Sequence, residues 1–442
     1  MAGDFSRSSL NPVKQYSGVL MQQGRVLVDA DWNEQLALQQ YRSAAEIEDI
    51  IGSCGTNKSG NGFLISQLHG QNDLRIDAGR YWVDGLLCEL APESIPVSAP
   101  AKNPKGTQVN VPSLSVDDRD LAVGDWVEIS GHGHPSLTAQ VTAVASQAVA
   151  ADPNAISPSY YTITLSQQLG ALGNAAMLWL RRVTTFTTQP FLLSQWDSVM
   201  EVSPANGVGE SLSLTDGDYL VVLEAWQREV NALQDPHIRE VALGGPDTCE
   251  RLQTVWQVHL VPYHGEASPP SSPLASPPAN TVDCCSPFPG LDEFQSALTT
   301  TGLMNAQVGQ ALQSPPQCLP IAPSGYQGVA NQLYRIEVFQ SGQANGSATI
   351  VWSRDSAMVE TSIVCIDSTN NVYVTDLGKD DLHSFSLNDY VEIVDPDGEL
   401  EGQPRFLTQI YQVPISAVTP SCSTNAAPAY QIVLQPPPPT SL

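Results

Sequence analysis

Charge is scarce in this 442-residue chain: charged residues make up 15%, and only five of them are Lys. Globular proteins usually carry ~25%. What charge there is lies on one side, with 46 Asp and Glu against 19 Lys and Arg and a formal net charge of −27. Such a surface repels phosphate backbones, so nucleic acid is not expected as a partner. It also disfavours anionic lipid. No apolar run reaches the ~18 residues of a spanning helix, so no direct membrane insertion is expected. The stretch Met1 to Leu10 is polar and lacks the apolar core of a secretory signal, which points to assembly in the cytoplasm.

Signatures of chemistry are missing too. The eight Cys form no Cys-x-x-Cys pair, which argues against a zinc knuckle or a thioredoxin-like site. They read as buried or incidental thiols made in a reducing compartment, with Cys284, Cys285 and Cys318 able to staple one loop after export. There is no Gly-x-Ser-x-Gly elbow, no His-Glu-x-x-His and no phosphate-cradling loop ending in Lys-Ser or Lys-Thr. His132 and His134 flank Gly133 without a carboxylate at metal spacing. Asp395-Pro396-Asp397-Gly398-Glu399 reads as a solvated turn, not a calcium loop, and Gly244-Gly245-Pro246-Asp247 as a structural turn. No catalytic residue, metal ligand or cofactor is assigned, and the chain is expected not to be an enzyme.

Pro (34) and Gly (32) are plentiful, a composition of short strands and many loops. One segment reads as helix. Asp31-Trp32-Asn33-Glu34 has the spacing of a capping box, and Trp32, Leu36, Ala44, Ile47 and Ile51 mark an apolar face over 31–51. Leu74–Asp77, Tyr81–Val83 and Leu86–Cys88 read as strands, with Asp84-Gly85 as a hairpin turn. Asp218–Trp226 and Thr254–Val261 predict two long strands, and strands return over 331–339, 348–353 and 361–366. Leu121–Ile129 resembles Phe385–Ile393, each followed by strands near 139–144 and 160–165 or 408–413 and 430–434. This predicts two copies of a small β module. The aromatic of each Asp-Trp/Tyr-Val-Glu-Ile motif, Trp126 or Tyr390, reads as core. Eight prolines between Pro262 and Pro289 exclude a sheet interior, a helical stretch is predicted near 293–312, and Pro436–Pro439 reads as a stiff extended tail.

The expected fold is mainly β and multidomain, with small sandwich or barrel modules and one N-terminal amphipathic helix. The segmentation is 1–95 for a strand-turn-helix and hairpin docking region, 96–185 for a β module and 186–262 for a central β region. A Pro/Ser-rich arm follows over 263–330, then a C-terminal β region with the second module over 331–442. Arg25 has Asp29, Asp31 and Glu34 close in sequence, a charge-assisted set that would fix the turn before the helix and, with Trp32, form a docking face.

Several blocks resemble a bacterial family found with phage-tail-like contractile injection systems. They are Gly3–Arg7 with Tyr16–Gln35, Gly79–Glu89, Ala225–Arg228, Asp235–Thr248, Asn331–Val338 and Trp352–Asp355. The first block is also distantly similar to the N-terminal region of phage tail-fibre proteins. The resemblance implies a structural, non-enzymatic subunit at a baseplate, a fibre base or a shell around the spike. Its partners would be other subunits of a symmetric, multi-copy particle, released or membrane-associated after assembly. It supplies no catalytic residues. Two other functions fit the sequence: a surface- or glycan-binding module using Trp126 and Tyr390, and an effector or hydrolase cargo.

Overall fold

The computed structural model describes residues 3–57, 62–68, 73–100, 102–117, 119–146, 160–191, 200–204, 210–214, 219–243, 248–262, 333–340, 342, 348–354, 358–367, 371–378, 380, 383–395, 398, 405–413, 416–420, 422 and 427–436. The expected arm over 263–330, the helix near 293–312, the Gly244–Asp247 turn, Cys284, Cys285, Cys318 and all but the first proline of the tail lie outside the described residues, as does most of the 395–399 turn. The protein is mainly β and multidomain, with one α-helix among the described residues. No described helix is long and apolar enough to cross a membrane. The chain divides into two compact units that interleave in sequence. One takes Met1–Glu46, Trp226–Val255 and Leu291–Leu442, the other Ile47–Ala225 and Trp256–Gly290.

Helix α1 spans Asp29–Ile51. It starts two residues before the expected cap, so Asp31 lies in the first turn, its N–H bonded to the Val28 carbonyl at 3.2 Å. The capping box is therefore corrected: Asp29, not Asp31, opens the helix. Only Ala30 and Leu38 are buried along it, so the apolar face is mostly uncovered. Strands β1 (Cys54–Thr56), β2 (Ile65–Gln67), β3 (Leu74–Ile76), β4 (Gly79–Val83) and β5 (Leu86–Leu90) follow. The turn between β4 and β5 holds Asp84 and Gly85 at φ of 44° and 77°. Positive φ at both central residues is what a tight two-residue hairpin of this twist demands.

The next eight strands, of which β8 and β9 pair only with each other and the other six make a barrel, are β6 (Ser94–Val97), β7 (Gln108–Val111), β8 (Ser115–Val116), β9 (Arg119–Asp120), β10 (Trp126–Gly131), β11 (His134–Ser146), β12 (Tyr161–Leu165) and β13 (Leu178–Arg182). Six of them form an antiparallel sheet in the order β6-β13-β10-β11-β12-β7. Paired backbone bonds between Ser98 and Asn110, at 3.1 and 2.8 Å, bring β7 back to the end of β6 and close the ring. Val109, Val127, Ile129, Ile163 and Leu180 fill it and are fully buried.

Next come β14 (Thr184–Thr185), β15 (Met200–Pro204), β16 (Glu210–Leu214), β17 (Tyr219–Val230) and β18 (Arg251–Pro262). β17 pairs with β18, as the two long apolar runs predict, and the boundary between the units falls inside both strands. Within the second unit Trp256, Val258 and Leu260 pack with Phe63, Ile76, Cys88 and Phe186. The buried Gln189 amide serves that core as a strand would: it donates to the Phe186 and Val258 carbonyls and accepts from the Val258 N–H at 2.7 Å.

The C-terminal strands are β19 (Arg335–Gln340), β20 (Thr349–Ser353), β21 (Ile363–Ile366), β22 (Asn371–Val374), β23 (Tyr390–Ile393), β24 (Phe406–Gln412) and β25 (Tyr430–Gln435). β19 and β20 form a hairpin, and the rest form a sheet in the order β21-β22-β25-β24-β23. Cys365 and Cys422, 57 residues apart, form a disulfide, and Cys54 is disulfide-bonded as well. The reading of Cys54, Cys365 and Cys422 as thiols is corrected. The fold brings the Cys365 and Cys422 Cα atoms to 6.2 Å, within disulfide reach, and no sequence spacing announces it.

The duplication is present down to single hydrogen bonds. Trp126 faces Gln140 and Tyr390 faces Gln409 in the β10–β11 and β23–β24 pairs. A register shift after Val141 in β11 recurs after Ile410 in β24. Val109 opposes Ile163 in one copy, and Val372 opposes Ile432 in the other.

Candidate functional site

Three features stand out. The first is the N-terminal segment. Asp29 accepts from the Ser6 N–H at 2.9 Å and the Ser6 hydroxyl at 2.7 Å. Glu34 accepts from the Ser9 hydroxyl at 2.5 Å, and the Gln35 side-chain oxygen from the Val19 N–H at 2.7 Å. Partial burial opposes ionisation of Asp29, but the hydrogen bonds from Ser6 and the Ala30 amide prevail and hold its carboxyl below the ordinary range. The chain before the helix is thus tied along its first turns. Yet Leu20, Val26, Leu27 and Trp32 are 91, 84, 74 and 77% exposed.

Arg25 does not join this set. It is exposed, its backbone N–H bonds the Gln22 carbonyl at 3.3 Å, and no ion pair links it to Asp29, Asp31 or Glu34. The carboxylates of Asp29 and Glu34 are taken by serine partners more than twenty residues away. Those partners were missed because no local spacing rule connects Ser6 with Asp29 or Ser9 with Glu34.

The second feature is a pair of acid–arginine knots. In the barrel, the mostly buried Glu128 takes Arg75 at 2.6 Å and Arg181 at 3.0 Å, and Arg75 also holds Asp77 at 2.6 Å. Burial raises the pKa of Glu128, but hydrogen bonds and charge from Arg181 and Arg75 outweigh it and leave the carboxyl below its usual value. In the second copy Glu392 takes Arg335 at 2.9 Å and Arg405 at 3.1 Å, and Arg335 also pairs with Glu337. Leu74-Arg75-Ile76-Asp77 and Tyr334-Arg335-Ile336-Glu337 are therefore matching pieces, so the duplication reaches further than the motif that reveals it.

The third feature is the motif aromatics. Trp126 is half-buried and Tyr390 is 71% exposed, and neither belongs to a core cluster. The reading of Tyr390 as core is corrected. Period two along the strand sends Val391 and Ile393 inward and Tyr390 and Glu392 outward.

Elsewhere, Arg80 and Glu89 form a surface ion pair at 2.6 Å beside Arg181 in an open groove of about 360 Å³. His132 and His134 sit at the turn between β10 and β11, and His383 bonds Asp380 at 2.9 Å. No group of three or more His, Cys, Asp or Glu placed to hold a metal occurs among the described residues.

No curated protein and no solved structure matches the chain. Residues 1–106, 197–268 and 285–436 match a family of unknown function, DUF6519, and the chain belongs to that family. The stretches outside the match are 107–196, 269–284 and 437–442; the first holds most of the first β module, whereas the second module lies inside the match.

Proposed function

We propose that this member of the family is a structural, non-enzymatic subunit of a multi-copy particle of the phage-tail-like contractile injection type, at its baseplate, its fibre base or a shell around the spike. One observation carries the reading. The N-terminal segment is fixed in place by Ser6–Asp29, Ser9–Glu34 and Val19–Gln35 while it turns Leu20, Val26, Leu27 and Trp32 to water. A lone protein gains nothing by ordering apolar side chains outward. A subunit gains by preorganising what it later buries. The block carrying those residues is also the one with a distant similarity to the N-terminal region of phage tail-fibre proteins. The expected partners are other subunits in a symmetric assembly, with no cofactor.

The test is a double variant, Leu20→Asp with Trp32→Asp. Both side chains are exposed, so folding by circular dichroism should be unchanged. Co-sedimentation with particles from the source cells should be lost. Unchanged incorporation would refute the reading.

A second reading, binding of surface glycans, draws on Tyr390 and on Tyr411, which is 64% exposed. Glycan-array binding abolished by Tyr390→Ala would favour it.

A further inference from the structure

We propose that the outer edge of β23 is a strand-acceptor site, filled in the assembly by an extended segment of another subunit. That segment would run antiparallel to Val391–Asp395 and bring an Arg or Lys to Asp389. The inference goes beyond the function proposed above and rests on different residues.

The barrel shows what such an edge receives. There β13 lies against β10, with Arg182 opposite Val127, Leu180 opposite Ile129 and Leu178 opposite Gly131. Leu178 and Leu180 point inward and are buried, and Arg182 pairs with the Asp125 carboxylate. In the second copy β7, β10, β11 and β12 have counterparts in β22, β23, β24 and β25. β13 has none among the described residues, and β23 pairs there with β24 alone.

Charge defines the segment that fits. Glu128 draws one arginine, Arg181, from β13. Glu392 already has Arg335 and Arg405, so a strand beside it needs no cation at that place. Asp125 has Arg119 and Arg182, whereas the Asp389 carboxylate accepts from the Ser386 N–H at 2.7 Å and meets no cation among the described residues. The counterpart of Arg119 is His383, placed by the Phe385–Leu377 bond that repeats Leu121–Leu114, and it turns to Asp380 instead. The incoming strand is therefore apolar opposite Ile393 and cationic opposite Val391. Pairing of this kind takes affinity from main-chain bonds and specificity from alternate side chains.

The test uses the full chain and, as probe, a synthetic peptide of its own residues 177–183 (Met-Leu-Trp-Leu-Arg-Arg-Val), read by fluorescence anisotropy and amide hydrogen exchange. The expected result is saturable binding that slows exchange at the β23 amides not facing β24. Binding should weaken roughly tenfold for a peptide carrying Arg182→Glu and for Asp389→Asn protein. The peptide change keeps the test valid if the protein variant folds poorly. Three results would overturn the proposal: β23 amides already protected in the free protein, no binding at millimolar peptide, or binding indifferent to both charge changes. Trp32→Asp should leave peptide binding intact, which separates this site from the N-terminal one.

Discussion

Gly124 and Asn388 occupy the same place in two copies of one module, both in left-handed backbone, at φ of 103° and 72°. The Gly124 N–H bonds the Val141 carbonyl at 2.8 Å and the Asn388 N–H that of Ile410 at 2.9 Å. Their carbonyls accept from the side chains of Gln140 and Gln409, both at 3.0 Å. The Asp that follows each caps the turn, Asp125 from the Ala122 N–H and Asp389 from the Ser386 N–H. Glycine and asparagine are the residues that tolerate this backbone.

A Cβ at Gly124 meets nothing within 4 Å, so the cost of filling it is backbone strain alone. Gly124→Ala should lose about 1–2 kcal/mol and Gly124→Asn less, by urea denaturation. Asn388→Gly should be near neutral. A neutral Gly124→Ala would remove the physical reason given for the pairing of these positions.

Glu128 sets an acid limit on the barrel. Its folded pKa lies below the unfolded value of about 4.3, so the stabilisation is present above that pH and is lost as pH falls through the folded pKa. Glu128→Gln should cost about 1–3 kcal/mol at pH 7, a figure discounted because Arg75 and Arg181 are partly exposed. The difference from the parent protein should shrink below pH 4, in thermal melts run across the range. A difference independent of pH would contradict the assignment.

Two free thiols differ in environment. Burial pushes Cys88 up to about 11, whereas the exposed Cys249 is lowered, chiefly by hydrogen bonds from Arg251, at 2.9 Å, and Thr248. Iodoacetamide at pH 7.5 should modify Cys249 in the native protein and Cys88 only after denaturation, by peptide mapping. Arg251→Ala should slow the Cys249 reaction.

The Cys365–Cys422 disulfide closes a long loop across the second module. Chain-entropy arithmetic for 57 residues gives roughly 4 kcal/mol. Cys365→Ser with Cys422→Ser should lower the melting of the second module and leave the barrel unchanged, by hydrogen exchange resolved by segment.

The sequence made legible whatever is local. Asp84-Gly85 marked its hairpin, the Asp-Trp/Tyr-Val-Glu-Ile repeat marked the duplicated module, and the apolar runs marked β17 and β18. It did not show Arg75 reaching Glu128, Ser6 reaching Asp29 or Cys365 reaching Cys422, because each link depends on folding that joins distant segments. Arg25 misled for the same reason. Nearness along the chain supplied three carboxylates, two of which the fold gives to serines. The helix face misled differently: its periodicity was real, but periodicity does not say whether the cover comes from the same chain.

On the proposed function, this chain is a fixed part of a particle and docks through its N-terminal segment. The most direct measurement is to isolate intact particles from the source cells and count copies by quantitative mass spectrometry, with electron microscopy to locate them. The account predicts a fixed stoichiometry in a multiple of three or six, with density over Leu20, Val26 and Trp32. Free protein absent from every particle would contradict it.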